Sequence, residues 1–326
     1  VCLHSALPQP PYYFPIRSGR YSVAPDLKPL GTDFGGSVLD QLHFQFDRRW
    51  QAFRVEKLAA RAECLEKYAG ALHLSQETRS AVVEWMVRTL CREHPNLFRL
   101  NDETLSCVLS QERLRFDAQW QLVKADPAAS PPYSDALDAL ASQIQEDFAV
   151  VQAGGDGSDE IAAIHVCLPS RWAPREKLGL AFPGVHAPVP HFERISAAAP
   201  QMVRIMTERG PLVRFGWSVE TDERLNHHPQ PPPGASEAAW NSRVVDPSAD
   251  EPFYLRVERQ VLVSFPRHRA SLFLIRVHHT PSSVILGCTE RRLALLSALE
   301  TMSPETRAYK GMQQMMEELL RLLRTA

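Results

Sequence analysis

The chain lacks paired cysteines. Its six, Cys2, Cys64, Cys91, Cys107, Cys167 and Cys288, form no CxxC pair and have no zinc-ribbon spacing. This excludes the usual disulfide, structural-zinc and cluster-binding frameworks, and the six read as reduced, mostly buried thiols. Charge of one sign is also missing: 36 Lys and Arg against 38 Asp and Glu leave a net charge of -2 with no basic stripe, so no nucleic-acid partner is expected. Long apolar runs are absent too. The opening VCLHSALPQPPYYFPIR breaks its apolar residues with prolines and a histidine, leaving no signal-peptide core and no membrane span. A cytoplasmic protein is expected. No GxSxG, HExxH or Walker motif occurs, and Gly154-Gly155-Asp156-Gly157 lies between two strand-like runs, which makes it a turn and not a phosphate cradle.

What is present is enough apolar residue, 44% of 326 positions, to bury one large core or two modest ones. The first forty residues, rich in Pro and Gly, read as an extended arm. Gln45 to Tyr68 has roughly helical spacing. Ser75 can cap a helix carrying Val82, Trp85, Met86 and Leu90, which His94-Pro95 ends, so this half is expected to be predominantly helical. After Pro131-Pro132, Ser134 can cap a helix through Leu137, Leu140, Ile144 and Phe148. FAVVQ and IAAIHVCL then read as a hairpin.

SRWAPREKLG reads as a short turn with Pro174 at its start and Gly179 as a left-handed cap. FPGVHAPVP is expected to be neither regular helix nor central strand, because prolines lack the N–H. A helix through Phe192, Ile195, Ala199, Met202 and Met206 follows, then PLVRFGWSVE as a strand and a proline-rich surface flap from Asp222 to Pro252. FYLRVERQVLVSF and SLFLIRVHH form the strongest strand pair. Ser303-Pro304-Glu305 opens an amphipathic C-terminal helix through Tyr309, Met312, Met316, Leu319 and Leu323. The divisions expected are an arm and helical portion over 1–132, a sheet domain over 133–288, and C-terminal helices over 289–326. The pattern is α+β with an antiparallel sheet.

Strand periodicity places Arg256, Glu258 and Gln260 on one face. Three polar residues there are either a solvated face or the lining of a polar pocket. His186, in PGVHAPVPHF, is held by prolines. It suits an axial metal ligand, a loop histidine bonded to backbone, or one half of a two-histidine site with His191. Arg171, Arg175 and Lys177 can neutralise carboxylates such as porphyrin propionates, or are simply solvated. Trp172 and Trp217 offer flat surfaces, or are core. His227-His228 lies in the flap, and His278-His279 points to opposite sides of a strand.

The string HVCLPSRWAPREKLGLAFPGVHAPVP, followed by LRVERQ and SLFLIRV, resembles the haem-dependent oxidative N-demethylase family. YSVAPDLKPLGTDF and LDQLHFQFD are similar to that family's N-terminal portion, so the resemblance extends over most of the chain. It implies a PAS-like haem-binding fold holding haem b, oxygen-dependent chemistry, and a small secondary amine such as dimethylamine, with formaldehyde released. His186 is then the proximal haem ligand, with Arg171, Lys177 and Trp217 helping to bind the cofactor. Glu258 lies in the distal pocket, where Arg256 and Gln260 complete the wall. Reduction of dioxygen takes two electrons, and the chain has neither a dinucleotide fingerprint nor cluster cysteines, so a separate reductase is expected. The described family enzyme uses partner subunits carrying flavin and an iron–sulfur centre. Competing readings are a haem-binding PAS sensor or gas-binding protein without turnover, and a non-haem metal protein on His186 and His191. The oligomeric state stays open.

Overall fold

Alternation of apolar with polar or small residues between positions 147 and 281 builds five strands of a seven-stranded antiparallel sheet, and the computed structural model describes residues 7–16, 20–21 and 25–325 around it. Residues 1–6, with Cys2, and positions 17–19 and 22–24 of the arm lie outside the described residues. In chain order the elements are β1 (Lys28–Pro29), α1 (Trp50–Tyr68), β2 (Ala69–Ala71), α2 (Gln76–Glu93), β3 (Phe98–Asn101), β4 (Thr104–Cys107), β5 (Glu112–Phe116) and β6 (Leu122–Asp126). The sheet segment follows with α3 (Ala136–Ala141), β7 (Asp147–Ala153), β8 (Asp159–His165), α4 (Phe182–His186), α5 (Phe192–Glu208), β9 (Leu212–Glu220), α6 (Glu237–Asn241), β10 (Tyr254–Phe265) and β11 (Ala270–Pro281). The chain closes with α7 (Ser282–Leu286), α8 (Thr289–Glu300), α9 (Pro304–Tyr309) and α10 (Met316–Thr325). The large sheet runs β1-β9-β10-β11-β7-β8-β2, every neighbouring pair antiparallel. The architecture is α+β. No helix among the described residues is long and apolar enough to cross a membrane.

Because side chains alternate along a strand, the sheet has two unlike faces. Val213, Val261, Leu272, Leu274, Phe148 and Val150 point to one side and join Val82, Met86 and Leu90 of α2 in the main core. Further along the same side, Val219, Leu255 and Val257 pack against Leu295, Met312 and Leu319 of the C-terminal region. The opposite face is only partly apolar. Leu262 and Val151 meet Met206 of α5, and Ala149, Ile164 and Ile275 meet Trp172 and Leu178. Beyond that apolar patch the face turns polar, and the candidate site lies there.

Several sequence expectations hold. Ser75 caps α2 by accepting from the Thr78 amide, Ser303 caps α9 in the same way, and Gly179 takes a left-handed φ of 81°. The β7–β8 and β10–β11 hairpins, α5 and the β9 strand form as expected. Six expectations are corrected. The N-terminal half is not predominantly helical, since β3–β6 form a separate four-stranded sheet whose short strands have charged outer faces. FPGVHAPVP does contain a helix, α4. Pro183 lies in its first turn, where the missing N–H would have had no partner anyway. The cap before α3 is Asp135, not Ser134, and the helix stops at Ala141, so Phe148 belongs to β7. The C-terminal helix is split in two, with Gly311 at a φ of 61° between its parts. The 222–252 stretch is not all surface: Leu225, His227, His228, Arg243 and Val245 are buried at its base. Among the described cysteines, only Cys107 and Cys167 are buried.

Candidate functional site

The β9–β10 register sets Ser218 beside Arg256, Gly216 beside Glu258 and Arg214 beside Gln260, so all six share the polar face. Gln260 Nε2 donates to Glu258 Oε2 at 3.1 Å, which orients the carboxylate. On β11 the neighbours of this pair are Val277 and Ile275, both apolar. Gly216 leaves the floor bare: a Cβ there would already be in contact, 3.6 Å from Gln260 Nε2 and 3.9 Å from Glu258 Oε2, and a longer side chain would crowd the carboxylate. A half-buried acid thus has apolar neighbours on the β11 side and a bare glycine on the β9 side.

Arg214 stands at the end of this row. Its Nε is cut off from solvent without a hydrogen-bond partner among the described residues, and burial lowers its pKa from the ordinary guanidinium value while the charge of Glu258 opposes this. His186 approaches from α4. Its Nδ1 is 2.8 Å from the carbonyl oxygen of Phe182, which can only accept, so Nδ1 carries the proton and Nε2 keeps its lone pair. The Phe182 ring lies 4.2 Å from the imidazole, and Lys177 Nζ holds the same turn by donating to the Val185 carbonyl at 3.2 Å. Burial pushes the His186 pKa below the usual histidine value, and the positive fields of Arg214 and Lys177 push the same way. The ring is therefore neutral at neutral pH, as metal ligation requires.

The C-terminal region closes the row. Lys310 Nζ donates to the Trp217 carbonyl at 2.6 Å and sits 5.5 Å and 5.6 Å from the ring centroids of Trp217 and Tyr21. Burial pushes its ammonium down to about 8, against the opposing charge of Glu258. The Tyr309 phenol is raised by burial and by Glu258, and burial with the field of Tyr309 raises Tyr21 to about 12. Both phenols keep their protons.

The remaining sequence candidates lie one layer out. Arg256 is fully buried and donates to the carbonyls of Leu168 at 2.7 Å and Leu225 at 2.9 Å, while its Nε is 4.0 Å from Glu258 Oε1. It ties two loops to the strand and flanks the carboxylate. Arg171 pairs with Glu220 at 2.9 Å, as does Arg243 at 2.5 Å. Burial alone would raise Glu220, but Arg243, His227 and Arg171 hold it down at about 2. Arg243 also donates to the Lys310 carbonyl, so this ion cluster fixes the end of α9. The Trp217 side chain packs with the C-terminal core and reaches the site through its carbonyl. Sequence reasoning missed Arg214, Tyr309, Lys310 and Tyr21. Strand parity in PLVRFGWSVE, which sets Arg214 two residues from a glycine, was the one signal available for Arg214.

Two rival centres are weaker. His191 is exposed in a left-handed conformation, and no group of three or more His, Cys, Asp or Glu side chains converges among the described residues. Cys167, His165 and Asp138 form a row, with Sγ 3.8 Å from Nδ1 and Nε2 3.0 Å from Oδ1, beside a cleft of about 360 Å³ between β2, β8 and α3. Burial raises the thiol well above its ordinary value, so it is no nucleophile, and Arg61 pins Asp138 at 2.7 Å.

No curated protein sequence matches the chain. The family profile described as haem-dependent oxidative N-demethylase, alpha subunit-like, matches residues 38–320, and the chain belongs to that family.

Proposed function

We propose that this chain is the haem-bearing subunit of an oxidative N-demethylase acting on a small secondary amine of the dimethylamine type. The reading of residues 147–281 as a PAS-like domain is supported by strand order. In sequence order within that segment the five strands lie 3-4-5-1-2, all antiparallel, with α4 and α5 between the second and third.

The residues present fit a haem. One observation carries this: the Phe182 carbonyl locks His186 in the tautomer whose Nε2 can bind iron, while burial keeps the ring neutral. His186 would hold the iron, and the guanidinium of Arg214, with its Nε unpartnered among the described residues, and the bare floor at Gly216 suit a flat anionic macrocycle. Bound haem b supplies oxygen activation and the oxidising power for an N-methyl group. Overall, the amine, dioxygen, two electrons and two protons give the shorter amine, formaldehyde and water. The electrons come from a separate flavin and iron–sulfur reductase.

The protein's own part is recognition. Glu258 pairs with the secondary ammonium, Gln260 keeps the carboxylate aimed, and Val277 and Ile275 exclude water, so that charge pairing is stronger than in solvent. Gly216 leaves room for a dimethylated nitrogen. Haemin titration of the purified chain tests the reading. A Soret band that shifts on adding dimethylamine, and formaldehyde release with a chemical electron donor, are expected. A chain that takes up no haemin overturns it, and haem uptake with neither amine response nor formaldehyde points instead to a sensor.

A further inference from the structure

The cations near the polar row are engaged, with one exception. Lys177 donates to the Val185 carbonyl, Lys310 to that of Trp217, Arg256 to those of Leu168 and Leu225, and Arg171 to Glu220. The Arg214 side chain has no hydrogen bond or ion pair among the described residues, although its Nε is shut off from solvent. Glu258 is close enough to be its strongest opposing charge, yet that carboxylate already accepts from Gln260. Leaving that Nε buried without a partner is unfavourable, and the half-buried fork keeps its terminal N–H groups free for a ligand. Its field comes from Glu258 and, more weakly, from Asp26, which already pairs with Lys28 at 3.1 Å, while the row also holds the cation of Lys310, with the proton-bearing phenols of Tyr21 and Tyr309 close by. The arrangement lacks one planar anion, and a guanidinium fork matches a carboxylate with two parallel hydrogen bonds.

We propose that Arg214 anchors the carboxylate of a bound ligand. Two sources supply that chemistry: a propionate of the porphyrin, or the free carboxylate of an N-methylated amino acid whose ammonium rests on Glu258. The first source rests on the haem reading above, and the second defines a zwitterionic substrate class for the same pocket.

The test compares wild type with Arg214→Gln in the full chain, using haemin, haemin dimethyl ester, sarcosine and dimethylamine as probes. Binding is read by absorbance for the porphyrins and by calorimetry for the amines. If the carboxylate is a propionate, the variant binds haemin roughly ten- to a hundredfold more weakly, while its affinity for the dimethyl ester is unchanged. If it belongs to the substrate, sarcosine weakens by that factor while haemin and dimethylamine do not. Equal affinity of both proteins for haemin and for sarcosine overturns the proposal. Should Arg214→Gln fail to fold, Arg214→Lys keeps the charge without the fork; a smaller loss for one carboxylate ligand is then expected, and no loss overturns the idea. A wild type that takes up no haemin at all sinks the haem reading instead, and Arg214 is then judged on sarcosine against dimethylamine alone.

Discussion

His186 Nδ1 lies 2.8 Å from the carbonyl oxygen of Phe182, one turn back in the same five-residue helix. The backbone of a helix this short has few bonds of its own, so the contact that fixes the imidazole also braces the turn. It is also the kind of supporting bond that metal-ligating histidines make through their second nitrogen. His186→Ala is therefore expected to abolish the haemin Soret band, a larger effect than the ten- to hundredfold that losing only a supporting bond costs. The side chain is half-buried, so the melting temperature should move little. Absorbance titration and a thermal melt on the same sample separate the two; a variant with wild-type haemin affinity would remove His186 from the iron.

Glu258 and Gly216 face one another across β9 and β10 and make opposite predictions about size and charge. Glu258→Gln keeps the shape and the neighbour of the carboxylate but deletes its charge. Dimethylamine binding should weaken by about tenfold or more with haem uptake intact. Gly216→Val keeps the charge and fills the floor, so it should raise the KM for the amine and favour none of the larger secondary amines. An amine-induced spectral shift that survives both changes would move the substrate away from this strand pair.

How far the sequence disclosed this arrangement depended on the length of the repeat and on whether the partner was local. FYLRVERQVLVSF and SLFLIRVHH have enough alternations to fix both strands and the shared face of Glu258 and Gln260. FRLN, TLSC and ERLRF have too few, and their charged residues read equally well as turn or helix surface. His186 was legible as a constrained histidine, but its helical setting was not, because prolines argue against helix everywhere except in the first turn. Arg214 alone in a strand looks like a solvated charge; that its Nε is shut off from solvent shows only in the folded chain. Lys310 owes its place to a carbonyl 93 residues away, which no local pattern encodes.

Lys310 gives the site a pH dependence. Its ammonium, pushed down to about 8 by burial, loses its proton in the folded protein well before an exposed lysine would. Raising the pH through 8 removes one positive charge from a row whose negative member is Glu258. Binding of a secondary ammonium should therefore strengthen between pH 7 and about pH 9, and binding of a carboxylate ligand should weaken. Lys310→Met should bind dimethylamine with no step in this range. Calorimetry across it checks the sign, and an identical step in the variant would assign the titration to another group.

Glu146, remote from the site, makes a prediction about stability alone. It is completely buried between the α3 end and β7, accepts from the Gln45 amide at 2.8 Å, and has its second carboxylate oxygen unpartnered among the described residues. Burial raises its pKa from 4.5 to about 7, against the attraction of Arg276 and Lys57. The sign follows from proton counts. Between those two values the folded chain keeps the proton and the unfolded chain has lost it, so the advantage present below 4.5 is lost as the pH rises toward 7. The interval is worth roughly 3 kcal/mol at about 1.4 kcal/mol per pH unit. Glu146→Gln keeps the acceptor for Gln45 and cannot ionise. Urea denaturation of both proteins at pH 4.5 and pH 8 should show the variant gaining on wild type by roughly that amount at the higher pH. A difference between them that does not change with pH would mean that Glu146 is charged in the folded protein, held so by Arg276 and Lys57.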